Sequence, residues 1–218
     1  MRSRFYCNRA IHCRKAAVYF VLILCYTATM KIGKKIFEIV FHARGGQGAK
    51  TAAEILAQAA LREGKFVQAF PDYGPERSGA PMRTYVRISD EPILTREPVV
   101  DPDLVVVLDE TLLDSVKVTN NLDEDEIMIV NTAKDRNAVS QKTGYKGNIY
   151  PVDAARISME IIGQPRPNTA ILGKLVKITE VVKLDNVVEV FREKYIGKIG
   201  EEITEKNVLA IEKAYDSL

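Results

Sequence analysis

The sequence predicts an α/β protein, with a three-layer α/β/α domain around a mixed, largely parallel sheet and a helical C-terminal third. Strand-like and helix-like segments alternate as far as residue 153, and only helical patterns follow. Two continuously apolar segments, L-V-V-V-L-D at 104–109 and E-I-M-I-V-N at 126–131, are typical of strands covered on both faces. With 218 residues, 46% of them hydrophobic, the chain can bury a substantial core in one domain.

The predicted elements follow one another with short connections. Strands are expected at 36–43, 65–70, 82–89, 104–109, 126–131 and 148–152. Helices are expected at 49–63, 110–117, 135–142, 154–162, 169–180, 184–195 and 203–217. In the strand at 82–89, apolar and polar residues alternate, which places Arg83, Tyr85 and Arg87 on one face. We expect that face to be wet or to meet a partner.

The first 29 residues differ from the rest of the chain in charge. They contain no acid, and their basic residues are Arg2, Arg4, Arg9, Arg14 and Lys15. The apolar run at 16–26 is too short to span a bilayer, but it fits the hydrophobic region of a secretion signal, with T-A-T at 27–29 as a poor cleavage site. We favour Met30 as the natural start. Residues 1–29 are then an upstream extension or a mobile segment, and 30–218 form a single cytoplasmic module.

Cysteine and histidine are scarce after Met30. All three cysteines lie before it, and His42 is the only histidine that follows. An iron–sulfur cluster or a zinc site held by this module alone is therefore excluded, as is a cysteine nucleophile. We expect His42 to be a hydrogen-bonded structural residue, with a catalytic role as the alternative.

The charge balance and hydropathy also limit the partners. Without the five basic residues at the N-terminus, the chain has 26 basic and 29 acidic side chains and no basic stripe. Nucleic-acid binding is not expected from such a surface. No apolar run is long enough to cross a membrane.

A glycine-rich segment, A-R-G-G-Q-G-A-K at 43–50, joins the first predicted strand to the first predicted helix. We call residues 45–48 the glycine corner. Exposed backbone N–H groups and the positive end of a helix dipole at such a place can hold an anion. A tight turn without a ligand is the alternative.

Known phosphate-binding patterns fit the glycine corner poorly. A Walker A loop is excluded because Ala49 precedes Lys50 and Thr51. The dinucleotide fingerprint is incomplete, because Thr51 stands where its third glycine belongs, although Asp72 is placed to contact a ribose. The chain also lacks the G-D-G of thiamine diphosphate metal loops. Asp109 and Asn168 are expected to be helix N-caps.

Several ordered motifs together resemble the gamma subunit of 2-oxoacid:ferredoxin oxidoreductases, with the pyruvate-acting enzymes as the closest type. They are F-H-A-R-G-G-Q-G-A-K-T-A-A-E-I-L-A at 41–57, Q-A-F-P-D-Y-G-P-E-R-S-G-A-P-M-R at 68–83, P-D-L-V-V-V-L-D-E-T-L-L at 102–113 and P-N-T-A-I-L-G-K-L-V at 167–176. The resemblance covers essentially everything after Met30. It implies a complex in which pyruvate, coenzyme A and oxidised ferredoxin yield acetyl-CoA, CO2 and reduced ferredoxin.

The resemblance also implies that different subunits bind the cofactors and coenzyme A. Thiamine diphosphate, Mg2+ and [4Fe–4S] clusters would be held by alpha, beta and delta (ferredoxin-like) subunits, while the gamma module is associated with coenzyme A. Backbone N–H groups of Gly45, Gly46, Gln47 and Gly48 would then hold its pyrophosphate, with added charge from Arg44 and Lys50. No catalytic residue and no metal ligand are assigned to this chain.

The predicted loop at 71–81 is the second candidate region, because the equivalent loop of the family lies toward the active site. Its candidate residues are Tyr73, Gly74, Glu76 and Arg77. The S-G-A-P form of this loop favours pyruvate, and 2-oxoisovalerate or another 2-oxoacid is the alternative. Two functions from other classes stay open: a free-standing NAD- or flavin-binding oxidoreductase, and a scaffold that docks a neighbour through Arg83, Tyr85 and Arg87.

Overall fold

A computed structural model describes residues 35–72 and 79–217, so the predicted extension at 1–29 lies outside the described residues. The strands are β1 (Ile36–Arg44), β2 (Phe66–Asp72), β3 (Pro81–Ser89), β4 (Leu104–Val107), β5 (Ile127–Asn131) and β6 (Asn148–Val152). The helices are α1 (Ala49–Arg62), α2 (Leu112–Ser115), α3 (Arg136–Thr143), α4 (Ala154–Ile162), α5 (Pro167–Thr179), α6 (Leu184–Ile199) and α7 (Glu201–Asp216). No described helix is both long and apolar enough to cross a membrane.

The six strands form one sheet in the order β2-β3-β1-β4-β5-β6. Strands β1, β4, β5 and β6 run parallel to one another, and β3 runs antiparallel to both of its neighbours, β1 and β2. This confirms the mixed, largely parallel sheet. The carboxyl ends of the four parallel neighbours lie at one edge, which is where ligands of such sheets bind.

Helices or connecting segments cover both faces of the sheet. Helix α1 and the four C-terminal helices pack against residues such as Ile39 and Phe41 of β1 on one face. On the other face, α2, α3 and their connections pack against Val40 of β1 and its neighbours. The alternation of β1 side chains between two apolar layers explains the predicted three-layer architecture, which is confirmed.

Helices α5 and α7 approach each other closely at Gly173. A Cβ atom at this position would lie 1.9 Å from the backbone oxygen of Ile211, so only glycine fits without moving α7. Helix α5 is buried along most of its length. Its first turn, which faces the carboxyl edge of the sheet, is therefore held in place by the C-terminal third.

The β2–β3 connection is shorter than the predicted loop at 71–81. Strand β2 continues through Pro71 to Asp72, where these residues pair with Thr84 and Arg83 of β3. Strand β2 lies at the edge of the sheet, where proline is tolerated. The loop prediction was therefore wrong at both ends.

The prediction of a wet face on β3 was also wrong. Tyr85 and Arg87 are buried, and only Arg83 of the three predicted residues is exposed. The Arg87 Nε atom donates to Glu38 Oε1 at 2.7 Å, and Gln68 Nε2 donates to backbone oxygens of the segment after β3. That segment covers the face. Alternation of apolar and polar residues along a strand does not distinguish a solvent-exposed face from a face that buries a charged pair.

Candidate functional site

The glycine corner lies at the carboxyl edge of the sheet, between β1 and α1. Gly48 is the N-cap of α1 with φ +80°, and no side chain caps the helix. The first N–H groups of α1 therefore have no side-chain acceptor at this end. Gly46, Gln47 and Gly48 line a cavity of about 780 Å3, here called the corner cavity.

The corner cavity is built from every parallel strand end. Its lining includes Gly46, Gln47 and Gly48, residues at or after the ends of the other parallel strands, and two residues at the start of α5, namely Asp109, Glu110, Asn131, Thr132, Lys134 and Asp153 in the former set and Arg166 and Asn168 in the latter. The lining thus combines backbone amide donors with several carboxylates. Such a cavity can accept a ligand that has both an anionic group and hydroxyl or amino donors.

Two of the four predicted amide donors are already engaged. The N–H of Gly45 donates to the Ala80 oxygen at 2.9 Å, and that of Gln47 donates to the Arg44 oxygen at 3.1 Å. Among the described residues, no backbone acceptor takes the N–H of Gly46 or Gly48. The backbone N–H groups that can still bind an anion at this corner are therefore those of Gly46, Gly48 and the first turn of α1.

The Gln47 side chain braces the glycine corner. Its Oε1 atom accepts from the Arg44 N–H at 2.8 Å, and its Nε2 atom donates to Asp109 Oδ2 at 2.7 Å. Asp109 Oδ1 accepts from both the N–H and the hydroxyl of Thr111. Burial would raise the pKa of Asp109, but the hydrogen bonds from Thr111 and Gln47 and the Arg44 charge outweigh it and lower the pKa. Asp109 is therefore a charged anchor.

Arg44 holds protein groups and does not line the corner cavity. Its guanidinium donates to Thr111 Oγ1 at 2.8 and 3.1 Å and to the Gly79 oxygen at 3.2 Å, and it lies 3.4 Å from Asp109 Oδ2. These contacts suit a positioning role, and the predicted contribution of Arg44 to the charge around a phosphate stays a prediction. The geometry joins the glycine corner to the end of the β2–β3 connection.

Lys50 also points away from the corner cavity. Its Nζ atom lies 3.7 Å from Glu54 Oε1 on the exposed side of α1. The cations that line the cavity are Lys134, 3.4 Å from Glu110 Oε1, and Arg166, which donates to Gln164 Oε1 at 3.0 Å. Neither residue was predicted from the sequence, although Lys134 closely follows a predicted strand end and Arg166 directly precedes α5.

Asp109 and Asn168 are not the N-caps that were expected. The N-cap of α2 is Thr111, and that of α5 is Arg166. Asn168 lies in the first turn of α5, where its side chain packs against Gly48 so closely that a Cβ at Gly48 would lie 2.5 Å from Asn168 Nδ2. Both residues line the corner cavity. Both residues were expected to be caps because they lie close to a helix start in the sequence, and the sequence does not show this packing.

A hydrogen bond to Glu110 fixes the acidic side of the corner cavity. The Thr132 hydroxyl donates to Glu110 Oε2, and this bond is the largest cause of the lowered pKa of Glu110. No described group of three or more His, Cys, Asp or Glu side chains is arranged to hold a metal ion. Protein groups contact both oxygens of Glu110, since Lys134 Nζ lies 3.4 Å from Oε1 and Thr132 donates to Oε2.

The second candidate region adjoins the first. Tyr73, Gly74, Glu76 and Arg77 lie outside the described residues. The flanking Gly79 N–H donates to the Gly45 oxygen at 3.3 Å, in addition to the Gly45–Ala80 bond. The described end of the β2–β3 connection is therefore fastened to the glycine corner.

His42 and Asp72 do not belong to the corner cavity. His42 is buried, and no described residue hydrogen-bonds to its imidazole, so the expected structural hydrogen bond is absent in this part of the chain. Asp72 accepts from Arg83 and from the Tyr85 hydroxyl and is not among the residues that line the corner cavity. Both residues line a different cavity.

Comparison with known proteins identifies the module that builds this site. Residues 38–217 match the model of the pyruvate ferredoxin/flavodoxin oxidoreductase family. The chain belongs to this family. The match includes the glycine corner and all residues that line the corner cavity, so the site is part of the family module.

Relatives in the pyruvate ferredoxin/flavodoxin oxidoreductase family are similar along nearly their whole length. Pyruvate synthase subunit PorC of Thermotoga maritima is 47% identical over 189 residues, which cover 87% of this chain and 98% of the relative. The common subunit gamma of the pyruvate/ketoisovalerate oxidoreductases of Thermococcus kodakarensis is 50% identical over 182 residues, which cover 83% and 96%. A free-standing nucleotide-binding oxidoreductase is not favoured by this similarity.

A solved structure in the family has the same fold. The crystal structure of pyruvate oxidoreductase subunit PORC from Thermotoga maritima matches with a TM-score of 0.76 at 44% identity. The match covers 84% of this chain and 97% of that chain. The α/β prediction made from the strand and helix pattern is therefore confirmed by an experimental relative as well.

Proposed function

We propose that this chain is the gamma subunit of a cytoplasmic, multi-subunit pyruvate:ferredoxin oxidoreductase. The complex converts pyruvate, coenzyme A and oxidised ferredoxin to acetyl-CoA, CO2 and reduced ferredoxin. Alpha, beta and delta subunits hold thiamine diphosphate, Mg2+ and [4Fe–4S] clusters, and this chain contributes coenzyme A binding and active-site assembly. The family match and the names of the relatives support this assignment.

The observation that carries the coenzyme A proposal is the open glycine corner. Gly46 and Gly48 offer N–H groups at the uncapped start of α1, and both residues line the corner cavity. A pyrophosphate there gains hydrogen bonds and the favourable helix dipole, and a dipole contributes about 0.3–2 kcal/mol for a bound negative charge. Arg166 and Lys134 supply the charge that backbone groups lack.

The other side of the corner cavity suits the sugar and base of coenzyme A. Glu110 and Asp153 line the cavity, and the lone pairs that their protein partners leave unused can accept hydrogen bonds from ribose hydroxyls or an adenine amino group. A phosphate beside those carboxylates would be repelled. The charge distribution therefore orients the ligand, with its pyrophosphate at the glycine corner.

Arg44, Gln47 and Asp109 act as positioning residues in this proposal. Their hydrogen bonds connect the glycine corner to the segment after β4, and Arg44 also holds the end of the β2–β3 connection. Preorganised donors bind an anion without rearranging first. Tyr73, Gly74, Glu76 and Arg77 are proposed to complete the active site together with partner subunits.

The names of the relatives identify the 2-oxoacid substrate only in part. The Thermotoga relative is a subunit of pyruvate synthase, whereas the Thermococcus relative is common to pyruvate and ketoisovalerate oxidoreductases. A subunit that serves two 2-oxoacids fits a step common to both, and binding of the thiol carrier is such a step. We propose pyruvate as the substrate, with a branched 2-oxoacid as the second candidate.

Purification from the native source tests the proposal. The chain should co-purify with partner subunits, and the complex should reduce ferredoxin with pyruvate only when coenzyme A is present. 2-Oxoisovalerate is compared under the same conditions to decide between the two acids. A chain that purified alone, or that reduced NAD by itself, would contradict the assignment.

A further inference from the structure

A second cavity of about 230 Å3, here called the valine cavity, lies under the sheet face opposite α1. Its apolar walls come from the sheet, from the segment before β4 and from α2 with the chain after it: Val40, Val99, Val105, Leu112, Val116 and Val118. No residue lines both this cavity and the corner cavity. The inference drawn from it is therefore independent of coenzyme A binding.

His42 is the polar group on the floor of the valine cavity. Its relative exposure is 7%, and none of residues 35–72 and 79–217 hydrogen-bonds to the ring. Burial, assisted by the nearby Arg83 charge, lowers the pKa of His42 to about 4, so the ring is neutral at pH 7. A neutral imidazole has one N–H donor and one acceptor nitrogen. Because no described group hydrogen-bonds to them and His42 lines the cavity, both nitrogens are available to a small ligand.

The rim of the valine cavity is positively charged. Arg83 pairs with Asp72 Oδ2 at 2.8 Å, and the Tyr85 hydroxyl donates to the same oxygen at 3.0 Å, so two donors already contact this carboxylate. The Arg83 side chain is 53% exposed and retains unused donors, and Lys117 adds a second positive charge. With two cations against one carboxylate, the rim favours a monoanion.

His42 and Arg83 are direct cross-strand partners on β1 and β3. Side chains of such a pair leave the same face of the sheet about 5 Å apart, so one carboxylate can contact both. The volume corresponds to about eight water molecules, at about 30 Å3 each, which is smaller than a nucleotide site. A single histidine and one paired carboxylate do not provide a metal site.

We propose that the valine cavity binds a short branched-chain carboxylic acid. Its hydrocarbon part packs among the valine side chains, and its carboxylate accepts hydrogen bonds from His42 and Arg83. Sugars and phosphate are disfavoured because most of the wall is apolar. No bond is made or broken in this binding step.

The full chain contains only two histidines, His12 and His42, so His42 is a specific NMR reporter. Imidazole 1H–15N spectra at pH 7 are recorded while isovalerate, acetate or inorganic phosphate is added, and the His42→Gln variant assigns the signal. Isovalerate should shift the His42 resonances and bind roughly tenfold more tightly than acetate, because it buries additional methyl and methylene groups. Phosphate should leave the resonances unchanged.

A second variant separates the valine cavity from general binding to Arg83. Val116→Phe fills the cavity from a half-buried position, while Leu209→Phe adds the same ring at an exposed position of α7. Isovalerate binding should fall at least roughly tenfold in the first variant and stay unchanged in the second, since only the first removes the volume. Equal affinity for acetate and isovalerate, absence of any His42 shift, or full binding by Val116→Phe would each overturn the proposal.

Discussion

Gln47 Nε2 lies 2.7 Å from Asp109 Oδ2 and joins the glycine corner to the end of β4. The same glutamine accepts the Arg44 N–H, so one side chain fixes the conformation of the loop at two points. These two hydrogen bonds fix the loop and leave the N–H groups of Gly46 and Gly48 free for a ligand. Donors fixed in this way can bind a pyrophosphate with little ordering cost.

Gly48 should tolerate alanine less well than Gly46. Both have positive φ, which costs an alanine about 1 kcal/mol, but only at Gly48 would the new Cβ meet Asn168, at 2.5 Å. Forcing Asn168 to turn away adds roughly 0.5–1.5 kcal/mol to the loss of unfolding free energy. Urea unfolding of both variants measures the difference.

A double variant checks the cause of that difference. In the Asn168→Ala background, the cost of Gly48→Ala should fall to that of Gly46→Ala, because the side chain that the Cβ meets has been removed. Equal costs of the two glycine substitutions in the otherwise unchanged chain would show that Asn168 does not constrain the glycine corner.

Arg166, which lines the corner cavity, should matter more for coenzyme A than Lys50. In the reconstituted complex, Arg166→Gln should raise the KM for coenzyme A about tenfold, which corresponds to about 1.4 kcal/mol, within the range of a charged hydrogen bond to phosphate. The KM for pyruvate should stay unchanged. Lys50→Gln is the matched control, since Lys50 faces Glu54. A larger effect of the Lys50 substitution would contradict the geometry of the cavity.

The buried pair of Arg87 and Glu38 should be important for stability. Their side chains are 3% and 14% exposed, so Arg87→Met deprives a buried carboxylate of its guanidinium and should cost about 3–5 kcal/mol of unfolding free energy. Lys35→Met breaks the exposed pair with Glu91 and should cost about 0–1 kcal/mol. Denaturant unfolding compares the two, and the Glu38→Gln/Arg87→Met double variant should recover part of the loss. Similar costs for the two single variants would disprove a special role of burial.

His42 should make the stability depend on pH. Its pKa is lowered from 6.5 to about 4 in the folded chain, so the unfolded chain binds the proton more readily. The contribution of neutral His42 to the free energy of unfolding is fully present above about pH 6.5. It is lost as the pH falls, and the loss reaches about 3 kcal/mol at pH 4. The difference in unfolding free energy between the natural chain and His42→Gln should shrink or reverse across this window. His12 is present in both chains and cancels. A constant difference from pH 7 to pH 4 would contradict the assigned burial.

The hydrophobic pattern predicted the fold well because a strand that is buried on both faces can be recognised from its own residues. Apolar segments such as 104–107 and 127–130 are buried on both faces, and their sequence alone identifies them. The helix starts near Ala49 and Leu184 were placed correctly for the same reason. Errors occurred where alternation is ambiguous, as on β3, where Arg87 is buried by a segment that the pattern does not show.

The candidate site was predicted less completely than the fold. The glycine corner is a local feature and could be located, but the engagement of its Gly45 amide depends on Ala80, which is distant in sequence. Arg166 and Asn168 reach the corner cavity only through the packing of α5 against α7. Residues after the ends of parallel strands, such as Asp109, would have been better candidates than Lys50, since those ends meet at one edge.

The most direct test of the central claim is a high-resolution structure of the assembled complex with coenzyme A bound. The account predicts pyrophosphate oxygens about 3 Å from the Gly46 and Gly48 nitrogens, with Arg166 beside a phosphate. Coenzyme A bound entirely by other subunits, with the corner cavity empty, would contradict it.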